Sequence, residues 1–389
     1  MRIAFYAPLK PPTHPVPSGD RRVARLLMAA FGRANHRVEL ASRFRSRDGV
    51  GDPVRQQALA ELGHHLARRL ARQYQARPPA ERPELWFTYH VYYKAPDWLG
   101  PAVSGALDIP YVVAEASHAA KRAGGPWAIG HAGAAAAIAH ADAIINLNPA
   151  DRAGLVGVAD PRAIHVMLNP FIDGADFAAA ANRRSELRRE LAHRFGLDGE
   201  KPWLLTVAMM RDGDKLASFR VLGAALDLLR DRSWQLLVVG DGPARAAVEA
   251  ALASLGRARI HYAGRRLAEE LPQFYASADL LVWPAINEAY GMALLEAQAA
   301  GVPVVAGAAG GVPTVVAGGV RDQTGLLTAP GDAADFAAAM RVLLDDPARR
   351  RRMGETALRR IAEEHDIGTA AGILDRAVRD AANRYRRLP

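Results

Sequence analysis

Pro284-Ala-Ile-Asn-Glu-Ala-Tyr-Gly-Met-Ala-Leu-Leu-Glu-Ala-Gln-Ala-Ala-Gly-Val-Pro303 follows directly on the apolar stretch Ala278-Asp-Leu-Leu-Val-Trp-Pro284. The apolar stretch predicts a buried strand, and residues 293–300 are rich in strong helix formers, so the run is a strand-to-helix junction. Glu288 falls in the loop at the strand's end. Glu296 falls about two turns into the helix near the same face, because their spacing is close to a multiple of the helical repeat. The unpaired backbone N–H groups around Tyr290, Gly291 and Met292 are expected beside Glu288, where a helix N-terminus attracts anions, phosphate above all. Carboxylates suit the hydroxyl donors of a sugar or ribose, and the amides suit the phosphates between them. Taken alone, the run also fits an ordinary helix with one capping and one surface glutamate. Gly291, which permits close backbone approach, tips the balance toward a ligand.

The alternation around this run sets the fold class. Strand-like segments are predicted from residues 2–7 to 163–167 in the first half and from 203–208 to 325–327 in the second. Helix-like segments lie between them, among them 96–106, 216–231 and 290–300. This is an α/β pattern of two Rossmann-like, doubly wound parallel domains. Residues 168–177, with Pro170, Gly174, Asp173 and Asp176, break the alternation and read as a linker. The domains predicted are 1–170 and 171–368, followed by a helix over 369–389. That helix carries Ile373, Leu374, Ala377, Val378, Ala381 and Tyr385 on one stripe. Two such domains facing each other would make a cleft, and parallel sheets bind ligands at the carboxyl ends of their strands.

Bulk composition removes several classes. With 389 residues and 50% hydrophobic content the chain can bury two cores of ordinary size. It has no cysteine, so disulfides, thiolate metal sites and cysteine nucleophiles are excluded. A reducing cytoplasm fits that composition. The N-terminus enters a strand-like segment without a signal-peptide pattern, and no apolar stretch is long enough to span a membrane; residues 133–145 are interrupted by His140 and Asp142. The formal net charge is +9, carried almost wholly by arginine, with Lys10, Lys94, Lys121, Lys201 and Lys215 the only lysines. No zinc spacing, helix-turn-helix cue or aromatic-basic interleaving points to nucleic acid.

Further motifs fall after predicted strands. Met209-Met-Arg-Asp-Gly-Asp-Lys215 places Arg211 and Lys215 at a strand end, where two cations would neutralise a diphosphate and stabilise it as a leaving group. Val239-Gly-Asp-Gly-Pro243 brings Gly240 and Gly242 to the next strand end; alone, this spacing is a weak signal. Tyr262-Ala-Gly-Arg-Arg266 carries Arg265 in a similar place. In the first half, Pro17-Ser-Gly-Asp-Arg21 puts Gly19 and Asp20 at the first helix start, where backbone amides could meet a phosphate or sugar. His118 follows the strand ending at Glu115, and His90, Tyr92 and Tyr93 follow the strand before it. Gly310 and Gly311 follow the strand at 303–306, ahead of Thr314.

The run at 284–303 resembles the nucleotide-sugar signature of family-4 retaining glycosyltransferases, which have the GT-B fold. That resemblance implies an enzyme that moves a sugar from a nucleotide-diphospho-sugar, UDP- or GDP-linked, to an acceptor hydroxyl with retention of configuration. It implies no divalent metal and no other cofactor. The first domain would take the sugar, lipid or small-molecule acceptor, and the second the donor. Glu296 would hold ribose hydroxyls, and Glu288 the hydroxyls of the donor sugar. Arg211, Lys215 and the amides near Tyr290, Gly291 and Met292 would take the diphosphate. His118 would contact the transferred sugar near its 6-hydroxyl, Gly240 and Gly242 would line the donor site, and Arg265 would run along the base. The terminal helix would pack back on the first domain. Three departures stand out. Arg211 and Lys215 are one residue closer than in most members, Ser18-Gly19 replaces a glycine pair, and Thr314 stands where a glutamate is frequent.

Two rival readings keep the fold. One is a nucleotide-sugar epimerase or a phosphorylase, the latter weakened by the scarcity of lysines in the second half. The other is a binding protein that keeps the nucleotide site without transfer. Arg21, Arg22, Arg25, Arg33, Arg37, Arg43, Arg45 and Arg47 offer a peripheral contact with an anionic membrane, although compositional bias explains them equally well. The sequence does not fix the oligomeric state.

Overall fold

The computed structural model describes residues 1–16, 18–319 and 322–386. Pro17 and Arg387, which fall in segments named above, lie outside them. The chain divides into two compact units, Met1–Asn169 with Ile367–Pro389, and Pro170–Asp366.

The first unit runs β1 (Arg2–Tyr6), α1 (Gly19–Arg33), β2 (Arg37–Leu40), α2 (Pro53–Gln75), β3 (Leu85–Val91), α3 (Gly100–Leu107), β4 (Tyr111–Ala116), α4 (Ala128–Ala139), β5 (Ala143–Asn146), α5 (Pro149–Leu155) and β6 (Ile164–Met167). The second runs α6 (Ala175–Ala181), α7 (Arg184–Phe195), β7 (Trp203–Val207), α8 (Asp214–Asp227), β8 (Gln235–Val239), α9 (Arg245–Leu252) and β9 (Ile260–Gly264). It continues through α10 (Leu271–Ser277), β10 (Leu280–Trp283), α11 (Met292–Ala299), β11 (Val304–Gly307), α12 (Val312–Val315), β12 (Gly325–Thr328), α13 (Ala333–Asp345) and α14 (Pro347–Glu364). Helix α15 (Ile367–Tyr385) belongs to the first unit and packs on α1. There His36 Nε2 meets Asp375 Oδ1 at 2.9 Å, and Tyr385 donates to Asp108 Oδ1 at 3.0 Å.

Each unit holds one six-stranded parallel sheet, in the orders β2-β1-β3-β4-β5-β6 and β12-β11-β10-β7-β8-β9. Helices cover both faces, so the central strands are apolar on both sides. Thus β8 is buried throughout, and β3 is buried at every position but His90. In each sheet the chain reverses its direction of travel once, between β1 and β3 and between β7 and β10. The loops leaving those neighbouring strands diverge and open a crevice at their carboxyl ends, where such sheets hold ligands.

Five elements depart from the predicted ones. The helix predicted over 96–106 starts at Gly100, because the Asp97 carboxylate takes the N–H groups of Leu99 and Gly100, both at 2.8 Å, and turns the chain. The predicted linker over 168–177 already contains the start of α6, whose Phe177 is buried. Helix α7 has no counterpart among the predicted elements, because it is docked by charge. Arg184 and Arg188 both hold Asp279, at 2.7 and 3.0 Å, and Arg188 lies over the Trp203 ring. Finally, the helix predicted from Tyr290 starts at Met292, and the terminal one starts at Ile367.

The segment into α6 is pinned within the second unit by His365. Its Nδ1 donates to the Pro170 carbonyl at 2.6 Å, while its own carbonyl accepts from Ile172 N–H at 2.9 Å. The ring is fully buried, its Nε2 has no hydrogen-bond partner, and Glu364 stands 3.9 Å away. Burial pushes this imidazole below its ordinary value, and the Pro170 carbonyl opposes that only in part. The unfolded chain therefore takes up this proton first as pH falls below about 6.5, so stability is present above that value and drains below it. Urea midpoints at about pH 7.5 and about pH 5.5 check this: the lower pH gives the lower midpoint, and His365→Gln narrows the gap.

Candidate functional site

At the β7/β10 crossover of the second unit, two loops are stitched together. Lys215, in the first turn of α8, forms an ion pair with Glu288 in the β10–α11 loop. The same carboxylate oxygen accepts Trp283 Nε1–H at 3.2 Å, and the ammonium lies 5.1 Å from the centre of the Trp283 ring. Phe219 packs edge-on against that indole at 5.3 Å and fixes its plane. Ser218 Oγ accepts from Ile286 N–H at 3.0 Å, and Asn287 Nδ2 donates to Asp214 Oδ2 at 3.2 Å. These bonds hold a loop in which Ala285 and Asn287 both have positive φ, a conformation that persists only where surroundings enforce it. Side-chain exposures of 22% for Lys215 and 18% for Glu288 leave the pair open to a ligand from one side.

Gly291, at φ +72°, caps α11 and ends the loop. Tyr290 therefore lies before the helix and is buried, rather than offering the first helical amide. Met292 opens the helix and is half-buried. Glu296 is 2% exposed and accepts the Tyr275 hydroxyl at 2.6 Å. The two glutamates thus have different partners, Lys215 with Trp283 for one and Tyr275 for the other. From the β11 side, Gly311 N–H donates to the Ala289 carbonyl at 2.7 Å, and Thr314 Oγ1 donates to Gly311 at 2.6 Å.

Arg211 is exposed on the β7–α8 loop, its backbone held by Leu216 N–H donating to its carbonyl at 3.1 Å and by its own N–H donating to the Met209 carbonyl at 3.2 Å. Arg265 is exposed just past β9, whereas Arg266 turns inward over Phe195 and Phe274. Gly240 and Gly242 let the loop after β8 run against the one after β7: Met210 N–H donates to Asp241 at 3.0 Å, and Ala244 N–H to Met210 at 3.0 Å. A Cβ at Gly240 would stand 1.9 Å from the Ala208 carbonyl oxygen, at a φ of +144°. Gly240→Ala is therefore expected to cost about 1–3 kcal/mol or more of stability, read as a lower urea midpoint. An unchanged midpoint would show that the two loops can part freely.

The first unit repeats the pattern at its β1/β3 crossover. Ser18 caps α1, accepting from Arg21 N–H at 3.3 Å, and the space above exposed Gly19 is open. Asp20 Oδ1 lies 3.3 Å from His90 Nδ1, and Glu115 Oε1 lies 3.9 Å from the same nitrogen. His90 and Glu115 sit on neighbouring strands with φ +66° and +56°. Burial pushes the His90 imidazole down, but the carboxylates of Glu115, Asp20 and Asp151 more than reverse this, so it ends above its ordinary value. Burial likewise pushes Asp20 up, and the neighbouring His90 imidazole outweighs it, leaving the carboxyl below its ordinary value. His118 is half-buried after β4 and packs on His131 with ring centres 4.5 Å apart. Trp283 and Tyr275, partners of the two glutamates, escape sequence reasoning. The only cue to Trp283 is a polar-tipped aromatic at the last position of an apolar strand. Among the described residues no cluster of His, Asp or Glu could hold a metal ion, and no helix is long and apolar enough to cross a membrane.

Two parallel sheets of these orders place the protein in the GT-B class of folds. Residues 201–346 match the family described as Glycosyl transferases group 1, and this part of the chain is a domain of that family. The chain is 34% identical over 263 residues to the D-inositol 3-phosphate glycosyltransferase of Kineococcus radiotolerans, a match covering 62% of this chain. That match spans 59% of the relative's own length. Among solved structures, sucrose-phosphate synthase from Thermosynechococcus elongatus superposes with a TM-score of 0.70 at 21% identity, covering 98% of this chain and 99% of that one. An Anabaena protein solved with UDP and glucose superposes with a TM-score of 0.67 at 16% identity, covering 97% and 99%.

Proposed function

We propose that the protein transfers a sugar from a nucleotide-diphospho-sugar to an acceptor hydroxyl, with retention of configuration and without a divalent metal. The observation that carries this reading is the Lys215–Glu288 pair at the crossover of the second unit. A diphosphate arriving there draws the ammonium away from Glu288. The carboxylate is then released to accept hydroxyl hydrogen bonds from the donor sugar, while Lys215 and Arg211 stabilise the charge that grows on the leaving nucleotide. Glu296 is assigned to the ribose hydroxyls, with Tyr275 orienting its carboxylate. The amides beside Gly291 are assigned to the phosphates, and Gly240, Gly242 and Arg265 to the nucleoside. In the first unit Gly19, Asp20 and His118 are assigned to the transferred sugar and the acceptor. Attack from the face the nucleotide leaves accounts for retention, with the acceptor proton passing to the departing phosphate oxygen. The structural neighbour holding UDP and glucose, and a relative named as a glycosyltransferase, support the choice of donor class. We place the reaction in the cytoplasm, on soluble or membrane-peripheral acceptors.

A thermal-shift series with UDP-, GDP-, ADP- and dTDP-sugars tests the reading, because a ligand that binds only the native state raises the melting temperature. One nucleotide series is expected to stand out, and slow hydrolysis of that donor without acceptor is expected to accompany it. No shift with any of them would overturn the assignment, and binding without hydrolysis or transfer would leave a binding protein.

A further inference from the structure

The first unit carries a second arrangement, continuous with His90. Four rings follow one another: His90 to Tyr92 at 5.0 Å, Tyr92 to Tyr93 at 5.4 Å, and Tyr93 to Trp127 at 5.6 Å between centres. At the far end two cations share the last two rings. Lys94 Nζ lies 5.7 Å from the Tyr93 centre and 5.0 Å from that of Trp127, and Arg122 Cζ lies 5.3 and 5.4 Å from them. Among the described residues neither cation has a carboxylate partner. Arg47 adds a third positive charge near Tyr92. Like charges gathered on two ring faces repel one another, and the rings relieve little of that. An anion would relieve it fully.

The arrangement is built, not incidental. Asp48 is 2% exposed and accepts from Gly51 N–H, Asp52 N–H and Gln56 Nε2, each at 2.9 Å. Gln56 in turn donates to the Pro126 carbonyl at 2.7 Å and accepts from Gly130 N–H at 3.0 Å, bracketing Trp127. Asp48 N–H donates to the Lys94 carbonyl at 2.9 Å. One buried pair therefore fixes both the lysine's backbone and the tryptophan's, which lowers the ordering cost of binding. Trp127 Nε1 is a buried donor without a partner at this place. The opposite end of the ring row is acidic, with Asp20 and Glu115 on His90. Carboxylates there suit hydroxyl groups, and ring faces suit the C–H faces of a sugar.

We infer that this row is an acceptor subsite for an anionic sugar or polyol, its hydroxyls at the His90–Asp20 end and its phosphate or carboxylate between Lys94 and Arg122. The inference rests on the glycosyltransferase reading for the word acceptor, but its test does not use the donor. Isothermal titration of the full chain with glucose 6-phosphate, glucuronate and glucose reads it directly. At least one of the two anions is expected to bind about tenfold or more tightly than glucose. The double variant Lys94→Gln, Arg122→Gln is expected to lose that preference while still binding UDP as the parent does. Equal binding of anions and glucose, no binding of either anion, or a preference that survives in the double variant overturns the subsite. Absence of UDP binding in the parent chain strikes the donor reading instead, so the two failures are distinguishable.

Discussion

Lys215→Ala is expected to cut turnover about a hundred- to a thousandfold, the loss seen when one preorganised charge is removed from a developing anion. Nucleotide affinity should fall with it, because Lys215 is also a ground-state partner of the diphosphate. Glu288→Ala should lose transfer as severely for the opposite reason. It leaves the ammonium unpaired, so UDP binds at least as tightly as before while the donor sugar is no longer held. The two variants thus separate by nucleotide affinity measured calorimetrically, even though both are nearly inactive. Both side chains are partly exposed, so neither truncation leaves a large cavity and circular dichroism should be unchanged. Near-normal turnover in either variant would remove the role given to that residue, and equal nucleotide affinity in both would remove the exchange between partners.

The largest loss of stability is expected at Asp97→Ala. This carboxylate is 3% exposed and accepts from Thr88 Oγ1 at 2.5 Å, Tyr111 Oη at 2.9 Å, and Leu99 and Gly100 N–H at 2.8 Å. Truncation strands two hydroxyls and two amides in the interior, each of which costs about 1–3 kcal/mol when left unpaired. With partial relaxation a total of about 4 kcal/mol follows, or roughly 8–16 °C in melting temperature for a unit of this size. Asp97→Asn keeps the acceptor oxygen and should lose less than half as much. A melting temperature within about 2 °C of the parent for Asp97→Ala would show that water replaces the carboxylate.

Much of the fold was legible because the central strands of a buried parallel sheet are apolar on both faces, as in 203–207, 235–239 and 280–283. Helix α7 was not, because its sequence fully buries only Leu187 and Leu191 and relies on arginines reaching a carboxylate far away in the chain. The late start of α3 was hidden for a related reason. Asp97 looks like an ordinary helix-start residue, and only burial shows that it spends its bonds on tertiary partners as well. At the site, residue types and strand-end positions gave Lys215 and Glu288 separately. Their pairing across 73 positions is a product of the crossover and has no local signature. The ring row was legible in part: Tyr92 and Tyr93 follow a strand, but Trp127 joins them only through the turn that Gln56 holds.

The pairs at the two crossovers are the same device made with different cations. In the Pro170–Asp366 unit the cation is an ammonium, and in the Met1–Asn169 unit it is an imidazole, the one side chain whose charge ordinarily changes near neutrality. The half that holds His90 is thereby tied to the acidity of its surroundings.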